Sequence, residues 1–171
     1  HGKFLDLDVS GLHLVVHLAR AGWLRWSDAL SPVPPRMGKG PLAARVHLDD
    51  GSGFDLTEAG TQKRLAMYVV HSPYDVPGIA RLGPDPLRLD ADPDLAWRRI
   101  SASPRAIGDL LMDQKVLAGV GNVYRAEVLF RHRIPPLRPG NTLRSSQWRA
   151  MWADLVELMA EGVRTGRIDT V

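Results

Sequence analysis

The sequence predicts an α+β chain: an antiparallel, β-sandwich-like part over residues 1–90, then an all-helical domain over residues 91–171. Three observations carry this. Short runs that alternate apolar and polar residues, joined by turn-forming dipeptides, fill the stretch up to Val70. Proline and glycine crowd residues 72–91. After Asp92 the apolar spacing changes from strand-like alternation to a helical repeat.

Taken in order, Leu5, Leu7 and Val9 alternate with Asp6 and Asp8, Ser10-Gly11 turns the chain, and Leu12, Leu14, Val16 and Leu18 alternate with His13, Val15 and His17. This predicts a hairpin with one core face and one wetter face. His13 and His17 share the wetter face, too far apart for a metal pair without a third ligand, so hydrogen-bonded structural histidines are expected. Residues 22–26 (GWLRW) continue the β layer, with the tryptophans packing in the core or at an edge. Residues 31–41 (SPVPPRMGKGP) read as a loop carrying Arg36 and Lys39. Ala44–Leu48 and Phe54–Leu56 flank Asp49-Asp50-Gly51-Ser52-Gly53, a second hairpin signal. Met67–Val70 adds a short strand.

In the second half, Asp92 and Pro93 open a helix that reaches Ile100. Ser103 and Pro104 read as cap and first residue of the next, whose face is marked by Ile107, Leu110 and Leu111. Tyr124, Val128 and Arg131, with Ala126 and Phe130, suit a third. Trp148, Met151, Trp152, Leu155, Val156, Met159 and Val163 form the core stripe of a long amphipathic helix that Gly162 and Gly166 end.

Composition bounds the function. With 171 residues and 44% apolar content a proper core is available and a folded chain is expected. There is no cysteine, which excludes disulfides, thiolate zinc sites and cysteine nucleophiles within the chain. No run approaches a membrane span and no signal-peptide core is present, so no membrane partner and a cytoplasmic, nucleoid-associated, intracellular protein are expected. A start at His1 without methionine reads as a processed or trimmed polypeptide. The net charge of +3 hides an asymmetry. Residues 1–100 balance 12 basic against 12 acidic side chains, whereas Lys115 to Arg149 carry seven basic residues against Glu127 alone. Such a local positive field points to a polyanion partner or to the solvated surface of an arginine-rich protein.

That excess surrounds Asp113–Leu129 (DQKVLAGVGNVYRAEVL), where Gly119 and Gly121 punctuate a bend that ends at Asn122 as a helix begins. Free N–H groups and the positive end of a helix dipole, with a side-chain amide beside them, form a phosphate-shaped site. The same pattern also describes an ordinary helical corner with Asn122 as N-cap.

The run Met112, Asp113, Gln114, Ala118, Gly119, Val120, Gly121, Asn122, Tyr124, Glu127, Leu129, Phe130 and Pro136 resembles the helix–two-turn–helix of the formamidopyrimidine-DNA glycosylase and endonuclease VIII family. Leu82-Gly83-Pro84-Asp85-Pro86-Leu87 is similar to that family's link between its β and helical domains, and His1-Gly2-Lys3-Phe4-Leu5 through His17-Leu18 matches a third stretch. The resemblance implies a monomeric protein of base excision repair that binds double-stranded DNA with a damaged base or abasic site and flips the lesion out of the stack. In that family an N-terminal proline amine forms a Schiff base with the sugar, β-elimination cuts the strand, and a four-cysteine zinc finger grips the duplex. By position, Asn122 is the phosphate-holding asparagine. Gly119, Val120 and Gly121 contribute backbone N–H groups, Arg125, Arg131 and Arg133 the surrounding charge. Lys3 is the lysine that contacts phosphate and assists; without the resemblance it reads as a solvent-facing strand lysine.

The chain also departs from the family pattern. The Pro-Glu pair is missing, and an internal proline nitrogen is an amide that cannot attack. No cofactor is expected within the chain, because the zinc finger would lie beyond residue 171. Thr57–Gln62 (TEAGTQ) lacks the arginine and phenylalanine that fill the gap left by a flipped base, Arg20 replaces a methionine that helps them, and Gly108 replaces a lysine. The expectation is therefore a damaged-DNA-binding core of a bifunctional glycosylase and AP lyase-like protein, inactive as this polypeptide alone. The alternatives are a catalytically inactive DNA-binding relative and an RNA- or ribosome-associated two-turn module.

Overall fold

The computed structural model describes residues 1–33, 40–61 and 64–168. Arg36 and Lys39 of the expected loop, and Gln62, lie outside the described residues. The chain forms two compact units, Lys3–Val76 and His1–Gly2 with Pro77–Val171. It is an α+β fold.

In the first unit, β1 (Phe4–Val9) and β2 (Leu12–His17) pair antiparallel around the Ser10-Gly11 turn, and β6 (Ala66–Val70) adds to β2, giving the order β1-β2-β6. The second sheet orders β3 (Gly22–Ser27), β5 (Gly53–Glu58) and β4 (Leu42–His47) as β3-β5-β4. Val16 of one sheet and Phe54 and Leu56 of the other share a core with Leu7, Leu14, Leu24 and Val46, the packing of a sandwich. The hairpins form where the turn residues place them. The expected core face of β1 and β2 is covered only in part: Leu5, Val9 and Leu12 are exposed, while the adjacent Val15 and Val16 are both fully buried. Alternation marks which side a residue faces; tertiary packing decides how much of that side is covered. His13 pairs with Asp6 at 3.0 Å, and among the described residues no cluster could hold a metal ion. Trp26 stacks on Phe54 with ring centroids 6.3 Å apart.

A buried ion pair links β4 and β5. Arg45 donates from Nε and Nη2 to the two carboxylate oxygens of Asp55, at 2.6 and 2.8 Å. That hydrogen bonding holds the Asp55 carboxyl below its ordinary range, aided by the charges of Arg45, Arg25 and His47. Glu58 at the end of β5 accepts from the backbone N–H groups of Arg64 and Leu65, tying down the start of the next segment.

The second unit is helical: α1 (Pro93–Ser101), α2 (Ile107–Met112), α3 (Asn122–Arg131) and α4 (Ser145–Thr165). Asp92 caps α1, accepting from the N–H of Asp94 at 2.8 Å, with Pro93 in the first turn. The next helix starts later than Ser103-Pro104 predict, at Ile107 after Ala106, with no side-chain cap. Its first N–H groups go instead to the loop beyond α3: Ile107 donates to the carbonyl of Arg138 and Gly108 to that of Pro136, at 2.8 and 2.9 Å. A cap residue is unnecessary once a distant backbone accepts these bonds. Ile107, Leu110 and Leu111 are buried as their spacing implies, around Trp148, Met151, Leu155 and Met159 of α4. The Trp148 indole N–H donates to the carbonyl of Pro93. Val163, expected in the core stripe, stands in solvent, as does Phe130 on α3.

Gly162 does not end α4, which runs on to Thr165 and closes with Gly166 at φ 66°. A Cβ on Gly162 would overlap the Tyr124 hydroxyl, so this glycine is the seat on which α3 rests. α3 itself ends at Arg131, and just beyond its cap Arg133 has a φ of 51°, a left-handed conformation that costs a non-glycine residue on the order of 1 kcal/mol.

Two outcomes are expected. Gly162→Ala destabilises the chain by about 1–3 kcal/mol through overpacking, while the same change on a Tyr124→Phe background stabilises it, because helix propensity then dominates; denaturant midpoints of the four variants check this. For Asp55, whose folded pKa is depressed, the stabilisation is present above the unfolded value of about 3.9 and is lost as pH falls through the folded one. Asp55→Asn therefore costs stability at neutral pH and flattens the acid limb of a Tm-against-pH curve.

Candidate nucleic-acid interface

The double turn between α2 and α3 is built around the side chain of Gln114. Its Nε2 donates to the carbonyls of Met112 and Val120, both at 3.0 Å, and its Oε1 accepts from the N–H of Gly119 at 3.0 Å. Asp113 shapes the first turn: its carbonyl accepts from Val116 and Leu117, and its carboxylate takes the Lys115 N–H and an Arg105 guanidinium bond. The Arg105 bond, the largest cause, holds the Asp113 carboxyl below its ordinary value. The segment Leu82–Leu87 closes over the turn from a distance in sequence. Gly83 donates to the carbonyl of Gln114 at 2.8 Å and Ala118 to that of Pro84 at 3.0 Å. Asp85, buried, accepts from the N–H groups of Gly2 and Leu87. These bonds hold residues 82–87 to the helical unit rather than leaving them as a linker.

Gly119 sits at φ 84°, where only glycine is unstrained. Its N–H, expected among the phosphate donors, is taken by Gln114, and the Val120 side chain is fully buried. Both residues build the turn. Gly121 is the N-cap of α3, with extended backbone, and Asn122 is the first helical residue rather than the cap. Arg125 N–H makes the first bond of the helix, to the carbonyl of Gly121 at 3.0 Å. The N–H groups of Asn122, Val123 and Tyr124 thus precede any acceptor within α3. Asn122 and Val123 are exposed, and Arg125 donates from Nη2 to Oδ1 of Asn122, which brings a guanidinium to the helix start. The corner is an exposed, electropositive set of donors, suited to an anion.

The other predicted charges lie elsewhere. Arg131 is engaged inside the unit, donating to Glu127 at 3.0 Å and Asp154 at 3.4 Å, beside a His132–Asp154 contact of 3.0 Å. Arg133 follows the far end of α3, about 15 Å along a ten-residue helix. Lys115, exposed on the first turn, makes no side-chain hydrogen bond or ion pair among the described residues, though its charge helps hold the Asp113 carboxyl down; it joins the corner as a cation that sequence reading counted but did not single out. Lys3 belongs to the β unit; partial burial lowers its pKa, and its charge adds to the burial that lowers His17.

A two-turn corner between paired helices, closed by the Leu82–Leu87 segment, defines a helix–two-turn–helix protein. A family model described as formamidopyrimidine-DNA glycosylase H2TH domain matches residues 82–171, and the chain belongs to this family. It is 61% identical over 167 residues to Endonuclease 8 1 of Mycobacterium tuberculosis, covering 95% of this chain and 59% of the relative. It is 34% identical over 168 residues to formamidopyrimidine-DNA glycosylase of Thermus thermophilus, covering 96% and 58%. Among solved structures, MutM (Fpg) of Thermus thermophilus superposes with a TM-score of 0.77 at 31% identity, over 97% of this chain and 59% of that one. Lactococcus lactis Fpg, crystallised with abasic-site DNA, shares the fold with a TM-score of 0.80 at 21% identity, over 98% and 60%. The chain thus spans under two thirds of the length of the relatives it matches.

Gln114→Ala should lose the three bonds that close the double turn and about 2–4 kcal/mol of stability. Urea unfolding measures this; a loss below about 1 kcal/mol would show the turn to be held by the Leu82–Leu87 segment alone.

Proposed function

We propose that this chain is the DNA-binding core of a base excision repair protein of the glycosylase and AP lyase type, and that the start of α3 grips a backbone phosphate of damaged double-stranded DNA. The observation that carries the reading is the exposed helix start, where three N–H groups lacking intrahelical acceptors meet the exposed side chain of Asn122 and the guanidinium of Arg125. A phosphate there takes charge-assisted bonds that water cannot match in geometry. Lys115 supplies further charge from the first turn. Phosphate contacts carry no base code, so the corner sets register and orientation while lesion choice lies with other residues. Lys3, with its pKa lowered, serves as a second phosphate contact.

The family's nucleophile is a proline amine, and every proline in residues 1–171 is an amide-linked interior residue. The role assigned to these residues is therefore binding and positioning of DNA, not bond cleavage. A zinc finger of the family type needs four thiolates, and residues 1–171 contain no cysteine to supply them. An intracellular location at the nucleoid and a monomeric state accompany this reading.

Asn122→Ala is expected to weaken duplex binding by about 1–3 kcal/mol at every sequence tested. Lys115→Ala should lower the slope of log affinity against log salt by about one. Titrations of an abasic-site duplex check both; unchanged affinity and slope in both variants would reject the corner as the grip. Equal affinity for duplex RNA would replace DNA repair with an RNA-binding role. Borohydride treatment of the bound complex is expected to trap no covalent adduct, and an adduct would turn the binder into a lyase.

A further inference from the structure

We propose that the groove along the outer side of α3 docks an acidic peptide segment of a partner protein, one that carries an apolar anchor residue between its carboxylates. The first observation is the end of α3. The N–H of Arg133 donates to the carbonyl of Phe130 at 3.0 Å, and that of Ile134 to the carbonyl of Leu129 at 2.9 Å. This paired closure is the one that helices ordinarily complete with glycine, because the residue between the two bonds turns left-handed. Here an arginine occupies it, at φ 51°. The position where glycine would be unstrained thus carries a long cationic side chain. The Arg133 guanidinium is exposed and has no acidic partner among the described residues.

The second observation is the surface the closure creates. Leu129 and Ile134 are brought together, and with Phe130 and Pro136 they line an open groove of about 510 Å³ rimmed by Arg125 and Arg133. No carboxylate lines it. Phe130 is 75% exposed, a large aromatic held in water beside the buried Val128 and Leu129.

Charge complementarity and the apolar floor together select the occupant. A nucleic-acid backbone would satisfy the two guanidinium groups and leave the floor wet. A peptide with carboxylates at its ends and a large apolar side chain between them satisfies both, in the manner of anchored peptide recognition. The site is distinct from the phosphate corner, sharing only Arg125 with it.

The test is fluorescence anisotropy on the whole chain with a labelled nine-residue probe, a leucine pair flanked by aspartates, and its twin with lysines in place of the aspartates. The expected result is micromolar binding of the acidic probe and none of the twin. Arg133→Gly should weaken the probe at least fivefold without lowering Tm, because glycine relieves the left-handed backbone, and Phe130→Ser should weaken it as much. Abasic-duplex affinity should change less than twofold in either variant. Probe binding that is absent, or unaltered in Arg133→Gly, overturns the proposal. So does displacement of the probe by duplex DNA together with weaker duplex binding in both variants, which would make the groove part of the nucleic-acid surface. Loss of probe binding in a form extended to the length of its relatives would place the chain's own polypeptide in the groove and equally remove the partner.

Discussion

The helical unit depends on one carboxamide. Gln114 donates to two carbonyls and accepts from one N–H, spanning residues 112 to 120 with a single side chain. Two consecutive turns have few backbone bonds of their own, and a buried unpaired carbonyl would cost about 1–3 kcal/mol. A side chain with both donors and an acceptor at fixed geometry answers this in a way that a hydrocarbon or a carboxylate could not. With the turn closed, α3 begins at Asn122 and its free N–H groups face outward.

The same turn is held from a second direction. Gly83 and Pro84 bond its backbone, and the missing Cβ of Gly83 is required because one would run into the carbonyl of Val116. A proline- and glycine-rich stretch that composition describes as a link is in fact a wall of the site. The Tyr124 hydroxyl set against Gly162 then fixes α3 on α4, so that helix start, helix end and the groove between them are placed by contacts inside one unit.

Charge behaves less simply than the count of basic residues implies. Seven cations cluster between Lys115 and Arg149, yet Arg131 is used internally by Glu127 and Asp154, and Arg138 by Thr142. What remains for a ligand is a smaller set whose members lie at different ends of α3. Electrostatic attraction of a polyanion follows from the sum; recognition follows from the few groups left without partners.

The sequence by itself determined the local structure: hairpin turns at Ser10-Gly11 and Asp49–Gly53, the cap at Asp92, the buried faces of α2 and α4, and the glycine-bordered bend with Asn122 at its end. These are legible because each depends on a residue's own backbone freedom or on spacing within one element. Its motifs also carried the family, through runs too long to arise from a generic corner. Only the tertiary structure decided that α2 needs no cap residue, that Gly162 is a packing seat, that Gly119 spends its N–H on Gln114, and that Phe130 stays in water. Each of those depends on a partner far away in the chain or on how much of a face is covered, and neither quantity is written in the spacing of neighbouring residues.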